Sequence, residues 1–165
     1  MQFLDAEIVE KLRELLRDSV RLRMMSDVPF GVFLSGGLDS SLNVALMKEL
    51  MERPVDTYSV AIQDDPLSDE LIEARRVAKH YGADHREVVI SPSDFIEYLP
   101  EMVRHQDEPL ADPVCVPLYF VSKLAKDNGT TVIQVGEGAD ELFAGYVDYA
   151  RMTDFHRRLY RPFAA

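Results

Sequence analysis

Four short apolar runs alternate with stretches of helical periodicity along this chain, and that alternation restricts its fold more than any other feature. The runs are FGVFL (Phe30–Leu34), VDTYSVAI (Val55–Ile62), HREVVI (His85–Ile90) and TTVIQV (Thr130–Val135). They are rich in β-branched and aromatic residues and bounded by Pro, Gly or Asp, as strands are. Between the first two, Leu42, Ala45, Leu46 and Leu50 recur at helical spacing. Leu71, Ala74, Ala78 and Tyr81 do the same over 69–81, where Gly82 provides the stop. Further helices are predicted over 93–105, capped by Ser91 or Ser93, and over 118–128, stopped by Gly129. Strands separated by helices of this length form right-handed βαβ units, so the expected fold is α/β, Rossmann-like and three-layered, with a mostly parallel sheet. The expected strand order is 3-2-1-4. That order sets the first and fourth strands side by side with connections leaving in opposite directions, and ligands bind beyond the carboxyl ends of strands at such a switch point.

A leading helix over 1–25 is expected to pack through Ile8, Leu12, Leu15 and Leu22. Its outer face carries Glu10–Arg13, Glu14–Arg17 and Asp18–Arg21, spaced as i,i+3 ion pairs and read as a solvated surface. Residues 28–150 then form the α/β core. A length of 165 residues suits a single domain. No apolar run approaches the ~20 residues of a membrane span. The single cysteine, Cys115, has no internal disulfide partner, which agrees with a reducing, cytoplasmic setting, and it reads as a small core residue. The formal net charge of −11 argues against broad nucleic-acid binding. Any phosphate site must therefore rely on local devices rather than on the overall field.

Two loops leave the carboxyl ends of the first and fourth strands: SGGLDSS (Ser35–Ser41) and GEGADELFAGY (Gly136–Tyr146). Ser35, Gly36 and Gly37 clear side chains from a strand-to-helix turn, so backbone N–H groups can converge at the positive end of a helix dipole. Ser35, Ser40 and Ser41 add hydroxyls to this anion site. The turn matches neither the Walker pattern nor the dinucleotide glycine fingerprint. It carries Asp39 and no lysine, an arrangement that would repel phosphate unless a cation stood between. Mg²⁺ is usually held by one or two carboxylates together with phosphate oxygens and water. Asp39 with Asp140 from the second loop would supply that pair. The same acids also suit helix capping, with Asp39 before SSLNV and Asp140 or Glu137 before ELFAGY.

FLSGGLDSS resembles the PP-loop of adenine-nucleotide α-hydrolase-like enzymes, which cleave ATP between its α and β phosphates. With LMKEL, DEPLADP and GEGADELFAGY following in order, the chain resembles the synthetase domain of glutamine-dependent asparagine synthetases from about Asp18 to Tyr146. The resemblance implies ATP and Mg²⁺ as cofactors, adenylation of the aspartate side chain with release of pyrophosphate, and displacement of AMP by ammonia. It implies that Ser35, Gly36, Gly37, Asp39, Ser40 and Ser41 hold the pyrophosphate portion and that Asp39 and Asp140 ligate Mg²⁺. It further implies that Leu34, Val60 and Gly136 line the adenosine pocket and that Glu137 assists deprotonation of ammonia. Many relatives carry serine where this chain has Val135, which removes one hydroxyl contact to the nucleotide.

Relative to that family, the chain reads as the nucleotide-binding part of the domain, with the glutaminase domain and the C-terminal part absent. Small molecules are its expected partners: ATP, aspartate, and ammonia delivered from a glutaminase domain. Self-association through Phe143, Leu159 and Phe163 is expected as well. Two other functions fit the same residues. One is an adenylating amidotransferase or a β-lactam-synthetase-like enzyme with another carboxylate acceptor. The other is an ATP-binding module without catalysis. DEPLADP (Asp107–Pro113) reads equally as a substrate-side loop and as a proline-fixed turn.

Overall fold

The computed structural model describes residues 5–64, 69–108, 110 and 112–160. The chain divides into two compact units, Met1–Val135 and Gly136–Ala165. The first begins with helix α1 (Asp5–Arg23) and continues through β1 (Phe30–Phe33), α2 (Leu38–Leu50), β2 (Asp56–Ile62) and α3 (Asp69–Tyr81). It ends with β3 (Asp84–Ile90), α4 (Pro92–Gln106), α5 (Cys115–Asp127) and β4 (Val132–Gln134). The second unit holds α6 (Ala139–Phe143) and α7 (Val147–Tyr160).

The sheet of the first unit runs β3-β2-β1-β4, all pairs parallel, as the alternation predicts. Val32 stands opposite Gln134, so β1 and β4 reach the same sheet edge next to each other. Successive strand residues face opposite sides, and both sides are covered. On one, Val32, Leu34 and Val55 pack with Val20 of α1, Val44 and Met47 of α2, and Ala74 and Ala78 of α3. On the other, Tyr58 packs with Val121 and Ala125 of α5, while Ile90 joins Tyr98 and Met102 of α4 and Val116 of α5. Gly31 is required where the Tyr58 ring crosses β1, since a Cβ there would lie 2.7 Å from the Asp56 carbonyl oxygen and 3.1 Å from the ring. The buried Tyr58 hydroxyl is 2.6 Å from Thr130 Oγ1, which ties the middle of the sheet to the segment entering β4.

Ser91 is the cap of α4: its Oγ accepts from Asp94 N at 3.2 Å while Asp94 Oδ2 accepts from Ser91 N at 2.7 Å. α5 starts at Cys115, three residues before the expected Leu118, because Pro117 falls in its first turn, where a missing N–H costs nothing. Cys115 itself is half-buried among the α4–α5 residues. Among the described residues, no helix is long and apolar enough to cross a membrane.

α1 overturns two expectations. Ile8, Leu12, Leu15 and Leu22 are not its packed face: they are 49%, 36%, 58% and 45% exposed. The packed stripe is buried Val20 with half-buried Leu16 and, just past the helix end, half-buried Met24, one helical turn apart. Of the three expected surface pairs only Asp18–Arg21 forms, at 2.7 Å. Glu14 bonds Lys11, and Arg13 and Arg17 both reach across to Glu49 on α2, at 2.8 and 3.7 Å. The choice of packed face puts both arginines beside α2, and a longer-range partner displaces the local one.

Candidate functional site

The first loop is built by packing. Leu34 continues β1 by one residue, donating its N–H to Tyr58 O at 2.9 Å and accepting at its carbonyl from the Ser59 hydroxyl. Its side chain is 1% exposed, in the core, so only its backbone is available to a ligand at the strand end. Gly36 then takes φ +82°, and a Cβ on it would come within 2.7 Å of both Ala74 N and Glu73 Cβ. Its bareness is what lets the turn lie against the backbone of α3. Gly37 differs: its φ of −66° suits any residue, and a Cβ would meet only Ser35 Oγ, at 3.2 Å. That contact is tight, but it is with a side-chain atom and not with backbone, so the two glycines meet different kinds of neighbour.

Hydroxyls fix the loop. Ser35 Oγ accepts from Gly37 N at 3.2 Å and lies 3.1 Å from Ser40 Oγ. Ser40 Oγ accepts from Ser35 N at 3.3 Å and donates to Gly37 O at 3.2 Å. Ser41 N closes the first helical bond to Gly37 O at 3.1 Å, while its buried Oγ has no hydrogen-bond partner. Gly37 is the N-cap of α2, without a side-chain capping bond, and Asp39 is the second residue of the helix. The capping alternative for Asp39 is therefore not what the structure forms. Its half-buried carboxylate makes no hydrogen bond or ion pair with a described residue.

The second loop repeats the pattern with different means. Gly138, at φ +87°, is the N-cap of α6, and Asp140 is again the second helical residue with no capping bond. The helix ends after five residues in Ala144, held at φ +57°. Asp140 O accepts the N–H of Ala144 and also that of Gly145, the latter at 3.0 Å. Gly136 O accepts from Ala139 N at 3.3 Å, which folds the GEGA turn, and Glu137 stands exposed within it. Glu141 is engaged: it accepts from the Tyr146 hydroxyl at 3.0 Å, and this bond raises the Tyr146 pKa above its ordinary value. Tyr146 and Tyr149 pack edge to face, with ring centroids 5.4 Å apart.

Val60 lies in β2 opposite Val88, half-buried against the α4–α5 side of the sheet. A depression of about 500 Å³ opens beside α5 and β4, lined among others by Phe33, Ala125, Ile133 and Val135. Val135, which stands where many relatives carry serine, is part of its wall; Leu34, Ser35 and Val60 are not. Of the DEPLADP segment, Asp107 ends α4 at φ 56° and Asp112 accepts from Val114 N at 3.0 Å; residues 109 and 111 lie outside the described residues. Phe143 is 54% exposed, while Phe163 and the side chain of Leu159 lie outside the described residues.

Among the described residues, no three His, Cys, Asp or Glu side chains gather into a metal cage. A Mg²⁺ ion held through a substrate needs one or two free carboxylates, with phosphate and water completing six oxygens. Asp39 and Asp140, each within its own unit, have carboxylates without a hydrogen bond or ion pair to a described residue, chemistry of the kind such an ion takes.

Fold and loops together define an α/β protein of the PP-loop class, in which a glycine turn follows the first strand of a 3-2-1-4 sheet. The solved NH3-dependent NAD synthetase from Campylobacter jejuni shares this fold, with a TM-score of 0.51 at 18% identity over 86% of this chain and 60% of that one. Residues 11–163 match the family model described as asparagine synthase, and the chain belongs to that family. Asparagine synthetase [glutamine-hydrolyzing] 1 of Bacillus subtilis (strain 168) is 45% identical over 143 residues, covering 87% of this chain and 22% of that protein. The Homo sapiens asparagine synthetase [glutamine-hydrolyzing] is 37% identical over 148 residues, 85% of this chain and 26% of that protein. The chain thus spans roughly a quarter of the length of these relatives.

Proposed function

We propose that this chain is the nucleotide-binding part of an ATP-dependent ligase that amidates aspartate to asparagine. The observation that carries the reading is the family match over residues 11–163, which includes both loops. The side-by-side ends of β1 and β4, from which the two loops depart, support it.

In this reading the aspartate side-chain carboxylate attacks the α-phosphorus of ATP, pyrophosphate leaves, and ammonia then displaces AMP from the acyl carbon. The backbone of Ser35–Ser41 holds the β and γ phosphates, with the open face of Gly37 towards them. The Ser35–Ser40 hydroxyl pair keeps the turn in shape before the nucleotide arrives, so little ordering remains to be done on binding. Asp39 and Asp140 are the carboxylates for Mg²⁺, which supplies charge neutralisation to the departing pyrophosphate. Leu34, Val60 and Gly136 border the adenosine, Leu34 through its backbone. Glu137, exposed and without a partner among the described residues, takes a proton from the attacking ammonia. Ammonia comes from glutamine hydrolysis in a glutaminase domain, as the relatives' names indicate for them. A cytoplasmic location fits the single cysteine. Exposed Phe143 supports self-association, which sedimentation would test; a clean monomer in dilute solution would contradict it.

Isotope exchange tests the activity. Labelled pyrophosphate should enter ATP when aspartate and Mg²⁺ are both present, because exchange requires reversal of adenylation. ATP binding without exchange would indicate a non-catalytic module, and exchange with a different carboxylate would replace aspartate as the acceptor.

A further inference from the structure

The C-terminal turn of α6 encloses Asp140 more tightly than its backbone bonds require. A Cβ on Gly145 would stand 1.9 Å from Asp140 Oδ1, 2.9 Å from its Cγ and 3.2 Å from its Cα. The carboxylate therefore lies directly against the bare α-carbon of Gly145. The same two residues are joined through Gly145 N and Asp140 O at 3.0 Å. Gly145 is not glycine for the sake of a left-handed backbone, since that conformation falls on its neighbour Ala144 at φ +57°.

We infer that Gly145 is a positioning residue for the Asp140 carboxylate: its missing side chain leaves the room for the rotamer in which Asp140 meets the cation. The inference rests on the assignment of Asp140 to Mg²⁺ under the proposed function. A methyl group at 145 meets mainly the movable end of the aspartate side chain. The chain can accept it by turning the carboxylate away, which leaves the helix in place and withdraws the ligand. The expected signature is specific. Mg²⁺ dependence of ATP binding changes, while the Mg²⁺-free contribution of the glycine cradle does not.

The test is calorimetric titration with ATP over a range of Mg²⁺ concentrations for the unaltered chain, Gly145→Ala, Asp140→Asn and the double variant. The Mg²⁺ midpoint should rise about tenfold in Gly145→Ala, within the range seen when the support of a metal ligand is lost. It should rise at least as far in Asp140→Asn, and Gly145→Ala should add nothing in the Asp140→Asn background. In Gly145→Ala, ATP affinity without Mg²⁺ and the far-ultraviolet circular dichroism should stay as they were. If Asp140→Asn raises the midpoint and Gly145→Ala does not, the positioning role is wrong and the metal assignment stands. If Asp140→Asn has no effect, or ATP does not bind, the reading beneath fails and the inference with it. Should Gly145→Ala not fold, the unaltered chain decides: Mn²⁺ with ATP must broaden the Gly145 α-proton resonances, and unchanged resonances overturn the proposal.

Discussion

The two loops solve one geometric problem in opposite ways. In each, a glycine N-cap precedes a residue and then an aspartate at the second helical position, with a carboxylate that caps nothing. The Ser35–Ser41 turn is held from outside, by α3 against Gly36 and by a 13-residue helix whose Val44, Leu46 and Met47 are buried. The Gly136–Tyr146 loop is held from within, by a five-residue helix with no buried residue, left-handed residues at both ends and an aspartate carbonyl that takes two N–H groups. The lesson is that a carboxylate can be aimed either by tertiary packing or by local backbone chemistry. The two should fail differently.

Glycine substitution breaks the comparison most sharply. Gly36→Ala forces a methyl group into the α3 backbone at φ +82°, and should destabilise the chain by about 2–5 kcal/mol, left-handed strain and overpacking combined. Gly37→Ala should cost less, about 1 kcal/mol, since its backbone is ordinary and its one close neighbour, Ser35 Oγ at 3.2 Å, is a side-chain atom that can shift. It should nonetheless weaken ATP binding severely by filling the cradle. Urea unfolding together with calorimetry separates the pair; equal destabilisation by both would remove the distinction between a packing glycine and a ligand-facing one.

The second loop should respond in the other direction. Ala144 holds φ +57° without being glycine, so Ala144→Gly should relieve left-handed strain and stabilise α6 by about 0.5–1 kcal/mol after the added freedom of the unfolded chain. Amide exchange of Ala144 and Gly145 would slow; faster exchange would mean that the strain is not there.

The pH response sharpens the comparison with the smallest effect. In the first unit His85 Nδ1 lies 3.0 Å from Thr57 Oγ1, and burial lowers its pKa despite Glu87, whose own pKa the Arg75 guanidinium lowers. A lowered histidine pKa means the unfolded chain takes up the proton first. The stability His85 contributes is therefore complete above its ordinary 6.5 and lost as pH falls through the lower folded value. In the second unit the raised Tyr146 pKa acts at the other end, with stability lost as pH rises beyond the ordinary tyrosine value of 10.0. Urea midpoints should fall between pH 7 and 5, and less so in His85→Gln. An equal fall in that variant would reassign the effect.

The sequence made the sheet legible because crossover handedness leaves few orders for alternating strands and helices, and β3-β2-β1-β4 is the one formed. The two loops were legible for the same reason, as the segments leaving adjacent strand ends. Finer matters were not. Helical spacing in α1 allowed two apolar stripes, and only the presence of α2 selects Leu16, Val20 and Met24. Glu49 as partner of Arg13 and Arg17 lies outside any i,i+3 rule. Gly36 and Gly37 are identical in the sequence and are told apart only by what stands beside each, the backbone of α3 or the Ser35 hydroxyl. Asp39 looked like a cap because sequence places helix starts only to within a few residues, and the glycine before it took that position. The hold of Gly145 on Asp140 depends on a short helix turning back on itself, which no periodicity announces.

Asp39 and Asp140, the second helical residues of α2 and α6, are the proposed magnesium ligands. Titration of the chain with ATP, with and without Mg²⁺, in Asp39→Asn, Asp140→Asn and the double variant tests that assignment most directly. The account predicts Mg²⁺-dependent binding that either substitution removes, with the double variant no weaker than the singles. Tight ATP binding indifferent to Mg²⁺ and to both substitutions would contradict it.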